Sequence, residues 1–353
     1  MRVATRTPAG IATGIIALVL LLVGLALPAF ASRSLIQDLF FILTMLALAQ
    51  LWNLLAGYGG LVSVGQQAFV GIGAYFMFAC VILFGMDPLL ALVVGGFGAL
   101  VLSIPMAFVA FRLHGAYFAI GTWVIAEVMR LVFAQWKVLG GGTGTSLPRE
   151  ATSKIMGVDL IRSLFGGSPA AARDVLAYWV ALLLAALVIG GIYALLRSRL
   201  GLALSAVRDN TEAAGSVGVD ARRIKWFVYL FVAFGTGIVG ALVFLQTARI
   251  SPNAAFAVTD WTAYVVFIVV IGGIGAIEGP ILGVLVFFAL QNLLSNYGSW
   301  YLMTLGLIAI VVMLFSPKGL WGIVSEQTGI SFFPTRRKVF ARGVASSDTS
   351  SLS

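Results

Sequence analysis

The sequence predicts an all-α fold, a polytopic transmembrane helical bundle with about ten spans. Of its 353 residues, 61% are hydrophobic and 10% are charged, whereas a soluble domain carries about 25% charged residues. Apolar runs long enough to cross a bilayer recur along nearly the whole chain and leave no stretch for a soluble domain. Backbone groups in lipid must be bonded within one segment or in a closed barrel, and continuous runs without a period of two favour helices. The predicted spans lie near residues 11–30, 36–55, 61–84, 88–111, 115–136, 175–196, 226–248, 262–277, 281–295 and 301–315.

The first apolar run, 11–30, has two interpretations. The basic residues Arg2 and Arg6 and the small-residue pattern at 29–31 are typical of a cleaved signal peptide. The run is longer than the roughly 7–15 apolar residues of a signal peptide, and it matches the ~20 residues that cross a bilayer. We therefore expect an uncleaved first helix that follows a cytoplasmic N-terminus at residues 1–10.

A single transmembrane domain is expected at residues 11–322, followed by a cytoplasmic tail at 323–353. Two connectors are long. The connector at 137–174 is rich in glycine and contains prolines, which predicts an irregular external loop. The connector at 197–225 is mixed in charge, and we expect it to be cytoplasmic and partly helical. The end of the chain, 343–353, is rich in serine and is predicted to be disordered.

Positive charge predicts the orientation of the spans, because cytoplasmic loops of membrane proteins are enriched in Lys and Arg. With the N-terminus inside, fourteen basic residues fall on the cytoplasmic side and seven on the external side, which favours both termini inside. The cytoplasmic residues are Arg2, Arg6, Arg112, Arg197, Arg199, Arg208, Arg222, Arg223, Lys225, Lys318, Arg336, Arg337, Lys338 and Arg342. The external residues are Arg33, Lys137, Arg149, Lys154, Arg162, Arg173 and Arg249. Because these residues lie in connectors between apolar runs and do not form a stripe with aromatic neighbours, the net charge of +9 does not indicate nucleic-acid binding.

The residue types that carry chemistry argue against several enzyme classes. Cys80 is the only cysteine and lies in an apolar run, so an intramolecular disulfide and a Cys-based metal site are excluded. A P-loop requires Lys directly after Gly, and none of the five lysines follows a glycine. No Ser/His or two-metal constellation is present in the sequence. We therefore expect no cofactor in this chain and no ATP hydrolysis through a P-loop.

The cytoplasmic connector carries Glu212, Ala213 and Ala214 followed by Gly218, a spacing that resembles the EAA loop of bacterial ABC importer permeases. In that family the loop forms a coupling helix seated in a groove of the ATPase. Small residues suit close docking, and charged residues suit pairing with a partner. On composition alone, the alternative is a solvated interfacial helix. The predicted coupling residues are Arg208, Asp209, Glu212, Ala213, Ala214 and Gly218.

A larger resemblance covers about residues 40–322. Residues 52–69 and 71–75 look like the N-terminal signature of branched-chain amino acid ABC permeases, and further segments are similar to the LivM-type subunit. Those segments are 114–120 with Glu127, 140–145, 270–275 with 279–280, and 316–320.

This resemblance implies a permease subunit of an ATP-driven importer in the bacterial inner membrane, moving branched-chain or other apolar amino acids. It also implies a homologous second permease, an external solute-binding protein and two ATP-binding subunits that use ATP and Mg²⁺. Importers of urea and amides look similar over the same segments, so they remain alternatives.

Two glycine-rich segments are candidates for a translocation path. The simplest interpretation of the glycines near the third run is close helix packing. The alternative is a broken or re-entrant helix, because irregular backbone at membrane depth is tolerated only beside protein or water. The segment 272–280 is comparable and indicates an internal repeat. The candidate residues are Gly59, Gly60, Ser63, Gln66, Gln67, Gly71, Gly73, Glu127, Arg130, Gly272, Gly273, Gly279 and Pro280.

Charged residues within spans are costly in hydrocarbon unless they are paired, so each is a functional candidate. Glu127 and Arg130 are three residues apart on one helix face and are expected to form an ion pair, either structural or lining the path. Glu278 is expected to be a solvated carboxylate at the cytoplasmic rim. The scarcity of span carboxylates argues against the main alternative of another class, a secondary transporter or channel.

Overall fold

The structure is a computed structural model that describes residues 2–3, 8–153, 155–165, 168–294, 299–316, 318–328, 332–333 and 339–340. It confirms the all-α prediction. The helices are α1 (Pro8–Ala26), α2 (Arg33–Asn53), α3 (Gln66–Phe84), α4 (Pro88–Ala110), α5 (Ala116–Ala134), α6 (Arg149–Ser153), α7 (Val158–Phe165), α8 (Pro169–Arg197), α9 (Arg199–Asp209), α10 (Thr211–Ser216), α11 (Ala221–Thr247), α12 (Pro252–Ala255), α13 (Tyr264–Gly272), α14 (Glu278–Leu294), α15 (Ser299–Phe315) and α16 (Gly319–Thr328).

Short irregular elements complete the described chain. Two π-helical turns, Leu54–Tyr58 and Thr259–Ala263, extend α2 and precede α13. The 3₁₀ turns are Leu27–Ala29, Lys137–Leu139 and Gly141–Thr143. The strands pair antiparallel, β1 (Arg2–Val3) with β4 (Val339–Phe340) and β2 (Thr145–Ser146) with β3 (Arg249–Ile250).

Membrane spans of the described residues correspond to the ten predicted apolar runs. Eight helical runs have the length and composition to cross a bilayer, and two shorter apolar helices accompany them. The eight runs are Arg33–Tyr58, Gln66–Phe84, Pro88–Ala110, Ala116–Ala134, Pro169–Arg197, Ala221–Thr247, Pro252–Gly272 and Leu302–Thr328, and the shorter helices are Gly14–Ala29 and Glu278–Leu294.

Two predicted boundaries differ from the structure for local reasons. The predicted run 61–84 becomes helical only at Gln66, because the chain turns at Gly60 and the residues up to Gly65 form no regular secondary structure. The predicted run 262–277 begins earlier, at Pro252, where the Ser251 hydroxyl accepts a hydrogen bond from the Ala254 N–H and caps the first turn. This run ends at Gly272, because Gly273 has a φ of +130° and breaks the helix.

The core of the bundle is formed by α2, α3 and α11. In α2 and in α3, 78% of the apolar stretch is buried, against 72% in α11 and 22% in α5. Glycines allow the closest crossings. A Cβ placed on Gly73 of α3 would overlap the carbonyl oxygen of Gly237 of α11. The helix α5 is peripheral in the single chain, because little of its apolar stretch is buried.

Charged residues from different parts of the chain contact the two ends of α2. At its beginning, the Nε of Arg33 lies 2.5 Å from the Oδ2 of Asp174, which also accepts from Gln37 at 3.1 Å; the Oδ1 accepts from Gln246 at 2.7 Å. At the other end, the π turn contacts the cytoplasmic connector. A helical run of this length spans about 39 Å at 1.5 Å per residue. The structure therefore separates these predicted external and cytoplasmic groups to opposite ends of one span.

Two expectations are corrected. Glu278 is not solvated: it is 7% exposed, and its Oε1 accepts a hydrogen bond from the Phe333 N–H at 2.8 Å. The connector predicted to be external is not wholly irregular, because α7 has an apolar face that packs on α8 through buried Val158 and Ile161. The domain end at residue 322 stays a prediction, and this position lies within α16. The predicted disorder at 343–353 lies outside the described residues.

Candidate functional site

A re-entrant segment follows the end of α2. The chain turns at Gly60, which has a φ of +67°, a conformation that glycine adopts at low cost. It then runs back along α2, since the Nε1 of Trp52 donates to the carbonyl oxygen of Ser63 at 2.8 Å. The side chain of Ser63 is buried and accepts from the Gly65 N–H. Non-helical backbone therefore lies at the depth of a span and is covered by protein.

Two glutamines begin α3 in the middle of the bundle. The Nε2 of Gln66 donates to the hydroxyl of Thr236 at 2.7 Å, halfway along α11. The hydroxyl of Thr262 donates to the Oε1 of Gln67. Both glutamines are at most 1% exposed. In this conformation they join α3 to α11 and to the second π turn.

Among the other predicted path glycines, the structure separates two roles. Gly59 and Gly60 lie in the turn that opens the re-entrant segment. Gly71 lies against the ring of Phe256, and Gly73 lies against α11, so both serve close packing in this conformation. Whether any of these residues contacts a solute stays a prediction.

The second glycine segment, between α13 and α14, lies beside the first. A Cβ on Gly57 would lie 2.6 Å from the backbone nitrogen of Gly275. Gly272, Gly273 and Gly279 pack on one another's backbones, and a Cβ at any of them would overlap a carbonyl oxygen. Pro280 is buried in the first turn of α14. The structure therefore brings together the two segments that the sequence singled out.

Two amide side chains that sequence reasoning missed hold this junction. The Oδ1 of Asn53 accepts from the Gly275 N–H, and its Nδ2 donates to the carbonyl oxygen of Ala276, both at 2.8 Å. The Nε2 of Gln50 donates to the carbonyl oxygen of Ile277 at 2.6 Å. Asn53 and Gln50 are at most 1% exposed. Their position in the apolar run 36–55 could have identified them, because an amide side chain in an apolar span requires a hydrogen-bond partner.

Arg208 connects the cytoplasmic connector to the same junction. Its Nη1 donates to the carbonyl oxygen of Gly57 at 3.1 Å, and its Nε donates to Asp209 at 3.1 Å. Gly60 and Gly275 also adjoin its side chain. Arg208 was predicted to pair with charges on a partner, but part of its guanidinium is engaged within this chain.

The predicted coupling motif forms α10, which is capped by the Asn210 side chain. Glu212 and Ala213 are exposed, whereas Ala214 is 3% exposed and packs inside its own chain. Gly218, with a φ of +85°, ends the helix in the left-handed conformation. Exposed residues of α10 are therefore available to a partner, and the side chain of Ala214 is not.

The predicted ion pair in α5 is present. The Nη2 of Arg130 lies 2.5 Å from the Oε1 of Glu127, and its Nη1 donates to Asn253 at 2.9 Å. The side chains of Glu127 and Arg130 are 45% and 26% exposed. This pair lies on a face of the span that the single chain leaves partly open.

Asp260 was missed by sequence reasoning. It lies in the π turn Thr259–Ala263, is partly exposed, and has no hydrogen-bonding or ionic partner among the described residues. Thr262 of the same turn bonds Gln67, so the carboxylate is two residues from a side chain that contacts the polar start of α3. The signal that could have found it is a carboxylate inside an apolar run, which is rare without a function.

Ten apolar helical runs, a re-entrant polar segment and the helical connector at 197–225 define a polytopic membrane transport protein. The chain belongs to the family described as branched-chain amino acid transport system / permease component, whose model matches residues 33–317.

Curated relatives agree with this family. The high-affinity branched-chain amino acid transport system permease protein LivM of Escherichia coli strain K12 is 28% identical over 319 residues, covering 87% of this chain and 75% of the relative. The protein of the same name from Salmonella typhimurium strain LT2 has the same identity and coverage. No solved structure gives a significant match.

Proposed function

We propose that this chain is the permease subunit of an ABC importer for branched-chain or other apolar amino acids. The observation that carries the proposal is the connection from exposed α10, through α9 and Arg208, to the two glycine segments inside the bundle. Family membership and the names of the relatives support it. ATP and Mg²⁺ would be used by two separate ATP-binding subunits, and an external solute-binding protein would deliver the solute to the region 137–174.

A displacement of α10 by an ATPase would be transmitted to the glycine segments inside the bundle through two contacts. The helices α9 and α10 pack on each other, and Arg208 at the end of α9 bonds the carbonyl oxygen of Gly57. Gly57 adjoins Gly275, so a shift of α9 displaces both segments at their point of contact. Packed elements of this kind change between discrete arrangements rather than deforming continuously.

A homologous second permease is expected against α5. Only 22% of the apolar stretch of α5 is buried in the single chain, yet this helix carries Glu127 and Arg130 with partly exposed side chains. Charged side chains facing lipid are unfavourable, and those in spans almost always face protein or a water-filled cavity. A second permease covering this face would place the pair beside an interface or the solute path.

Asp260 fits an amino-acid substrate. A zwitterionic amino acid carries an ammonium group, which forms strong charge-assisted hydrogen bonds with a carboxylate that has no protein partner. The apolar side chain of the substrate would then be accommodated by the surrounding span residues. Importers of urea or amides would have no ammonium group for this carboxylate to bind.

The experiment measures uptake of radiolabelled leucine by right-side-out membrane vesicles. The vesicles contain the chain with its co-expressed partners and are supplied with the solute-binding protein on the outside. Uptake should require ATP on the cytoplasmic side, and ATP-binding subunits and a second permease should co-purify with the chain. Uptake that persists in ATP-depleted vesicles and follows a proton or sodium gradient would instead establish a secondary transporter.

A further inference from the structure

A cavity of about 970 Å³ lies at the predicted cytoplasmic end of the bundle. It is lined by the end of α4, the beginning of α5, the first residues of α11, Thr211 at the start of α10 and the start of the re-entrant segment. Its lining combines basic and aromatic side chains and includes Arg112, Arg222, Lys225, Phe108, Phe111 and Trp226. This composition is unlike that of the polar junction inside the bundle.

The cavity has positive charge without a counter-charge. Arg112, Arg222 and Lys225 line it, and no acidic residue does. Within the described part of the chain, none of the three forms an ion pair or donates a side-chain hydrogen bond. The adjacent Arg223 differs, because it is 88% exposed, lies outside the cavity and bonds Asp220 at 2.9 Å. The three cations therefore favour an anion in the cavity.

An aromatic floor lies about one helical turn from Arg112 and Arg222. The ring centroid of Trp226 is 4.8 Å from that of Phe108 and 5.6 Å from that of Phe111. Trp226 follows Arg222 by one turn of α11, a rise of about 6 Å. Phe108 is 54% exposed on the outer face of α4, so the floor is continuous with an apolar surface of a span.

We propose that this cavity binds an anionic phospholipid of the cytoplasmic leaflet. The headgroup phosphate lies between Arg112, Arg222 and Lys225, and an acyl chain lies over Phe108 and Trp226. Basic pockets between spans on the cytoplasmic side are suited to anionic headgroups. An acidic segment of a partner protein would satisfy the cations but would leave the apolar floor, which lies at span depth, without a matching group.

The bound lipid would contact the re-entrant segment, since Gly60, Leu61 and Val62 line the same cavity. Anionic lipid is therefore expected to stabilise the turn at Gly60 next to Arg208. The proposal depends on the cavity and its charges and stands independently of the transported substrate.

The test is a lipid titration of the purified permease complex by native mass spectrometry, with phosphatidylglycerol or phosphatidylcholine of equal chain length. The wild type should bind phosphatidylglycerol more tightly. The double variant Arg112→Gln/Arg222→Gln should bind it roughly thirtyfold more weakly, at about fivefold per basic residue. The control Arg199→Gln/Arg223→Gln removes the same charge from exposed positions outside the cavity and should bind like the wild type.

Four results would overturn the proposal. Equal binding of the two lipids by the wild type would remove selectivity for the anionic headgroup. An equal loss in both double variants would show diffuse surface attraction. Unchanged phosphatidylglycerol binding by Arg112→Gln/Arg222→Gln, accompanied by loss of a co-purifying subunit, would assign the cations to a partner protein. Displacement of the lipid by equimolar inorganic phosphate would show a site for the phosphate group alone.

Discussion

The guanidinium of Arg208 donates to the carbonyl oxygen of Gly57 at 3.1 Å, which joins the last turn of α9 to the π turn at the end of α2. Gly57 has no room for a side chain, because a Cβ there would lie 2.6 Å from the backbone nitrogen of Gly275. One hydrogen bond therefore links the cytoplasmic connector to the contact between both glycine segments.

Replacing Arg208 should uncouple ATP hydrolysis from uptake. A hydrogen bond from a charged donor contributes about 1.5–3 kcal/mol, and partial exposure places this one near the lower value, about a tenfold shift in equilibrium. Arg208→Gln should keep its membrane level but lose roughly tenfold in leucine uptake, with ATPase activity retained. Asp209→Asn is the control, since its exposed ion pair contributes only about 0–1 kcal/mol. Equal uptake by the two variants would contradict a role for the Gly57 bond.

Added bulk on α10 should prevent docking of an ATPase. Gly215 is exposed and has no atom within 4 Å of the position that a Cβ would occupy, so a larger side chain does not disturb this chain. Gly215→Trp should insert normally, fail to retain the ATPase and lose uptake, whereas Gly215→Ala should retain both. Gly218→Trp is a poorer test, because any side chain at its φ of +85° is strained. Normal ATPase retention by Gly215→Trp would exclude this face from the interface.

The orientation of the bundle can be measured with reporter fusions. Arg149 lies in the connector predicted to be external, and Arg208 lies in the connector predicted to be cytoplasmic. The positive-inside distribution predicts an external reporter at Arg149 and a cytoplasmic reporter at Arg208. Alkaline phosphatase should be active only at Arg149, and green fluorescent protein should fluoresce only at Arg208. The same side for both would mean that the number of spans between them is wrong.

The carboxylate of Asp174 should be the main polar determinant of stability at the outer end. It is 3% exposed and accepts from Arg33, Gln37 and Gln246, which ties α8 to α2 and α11. Asp174→Ala should lower stability by about 3 kcal/mol, the lower end for a broken buried pair, because Arg33 is half-exposed. Thermal unfolding in detergent measures the loss. Asp159→Ala, on the exposed side of α7, should unfold at the wild-type temperature, and an equal loss in both would refute the prediction.

The spans and the two glycine segments could be predicted from the sequence, because hydropathy and glycine spacing are read from residues that are close together in the chain. The hydrogen bonds of the junction were not predictable in the same way. Asn53 and Gly275 are 222 positions apart, and Arg208 and Gly57 are 151 positions apart. Such contacts depend on how helices pack in three dimensions, so the sequence indicated which segments matter but not which side chains join them.

Asp260 should determine the affinity for an amino-acid substrate. Two partly exposed carboxylates, Asp38 and Asp260, lie in described spans without a hydrogen-bonding partner there. Asp38 is about one turn from the outer end of α2, whereas Asp260 is two turns into its span and lies in the π turn whose Thr262 bonds Gln67. Asp260→Asn removes the charge that pairs with the substrate ammonium while preserving size.

We expect Asp260→Asn to raise the KM for leucine at least tenfold, since hydrogen bonds to charged groups contribute about 1.5–3 kcal/mol. Membrane level and ATPase retention should be unchanged, because Asp260→Asn preserves size and Asp260 has no hydrogen-bonding or ionic partner among the described residues. Asp38→Asn is the matched control and should keep the wild-type KM. Uptake of an uncharged amide should be insensitive to either change. An unaltered KM in Asp260→Asn would remove this carboxylate from substrate recognition, and loss of a proton- or sodium-gradient dependence that the wild type shows would assign it to ion coupling instead.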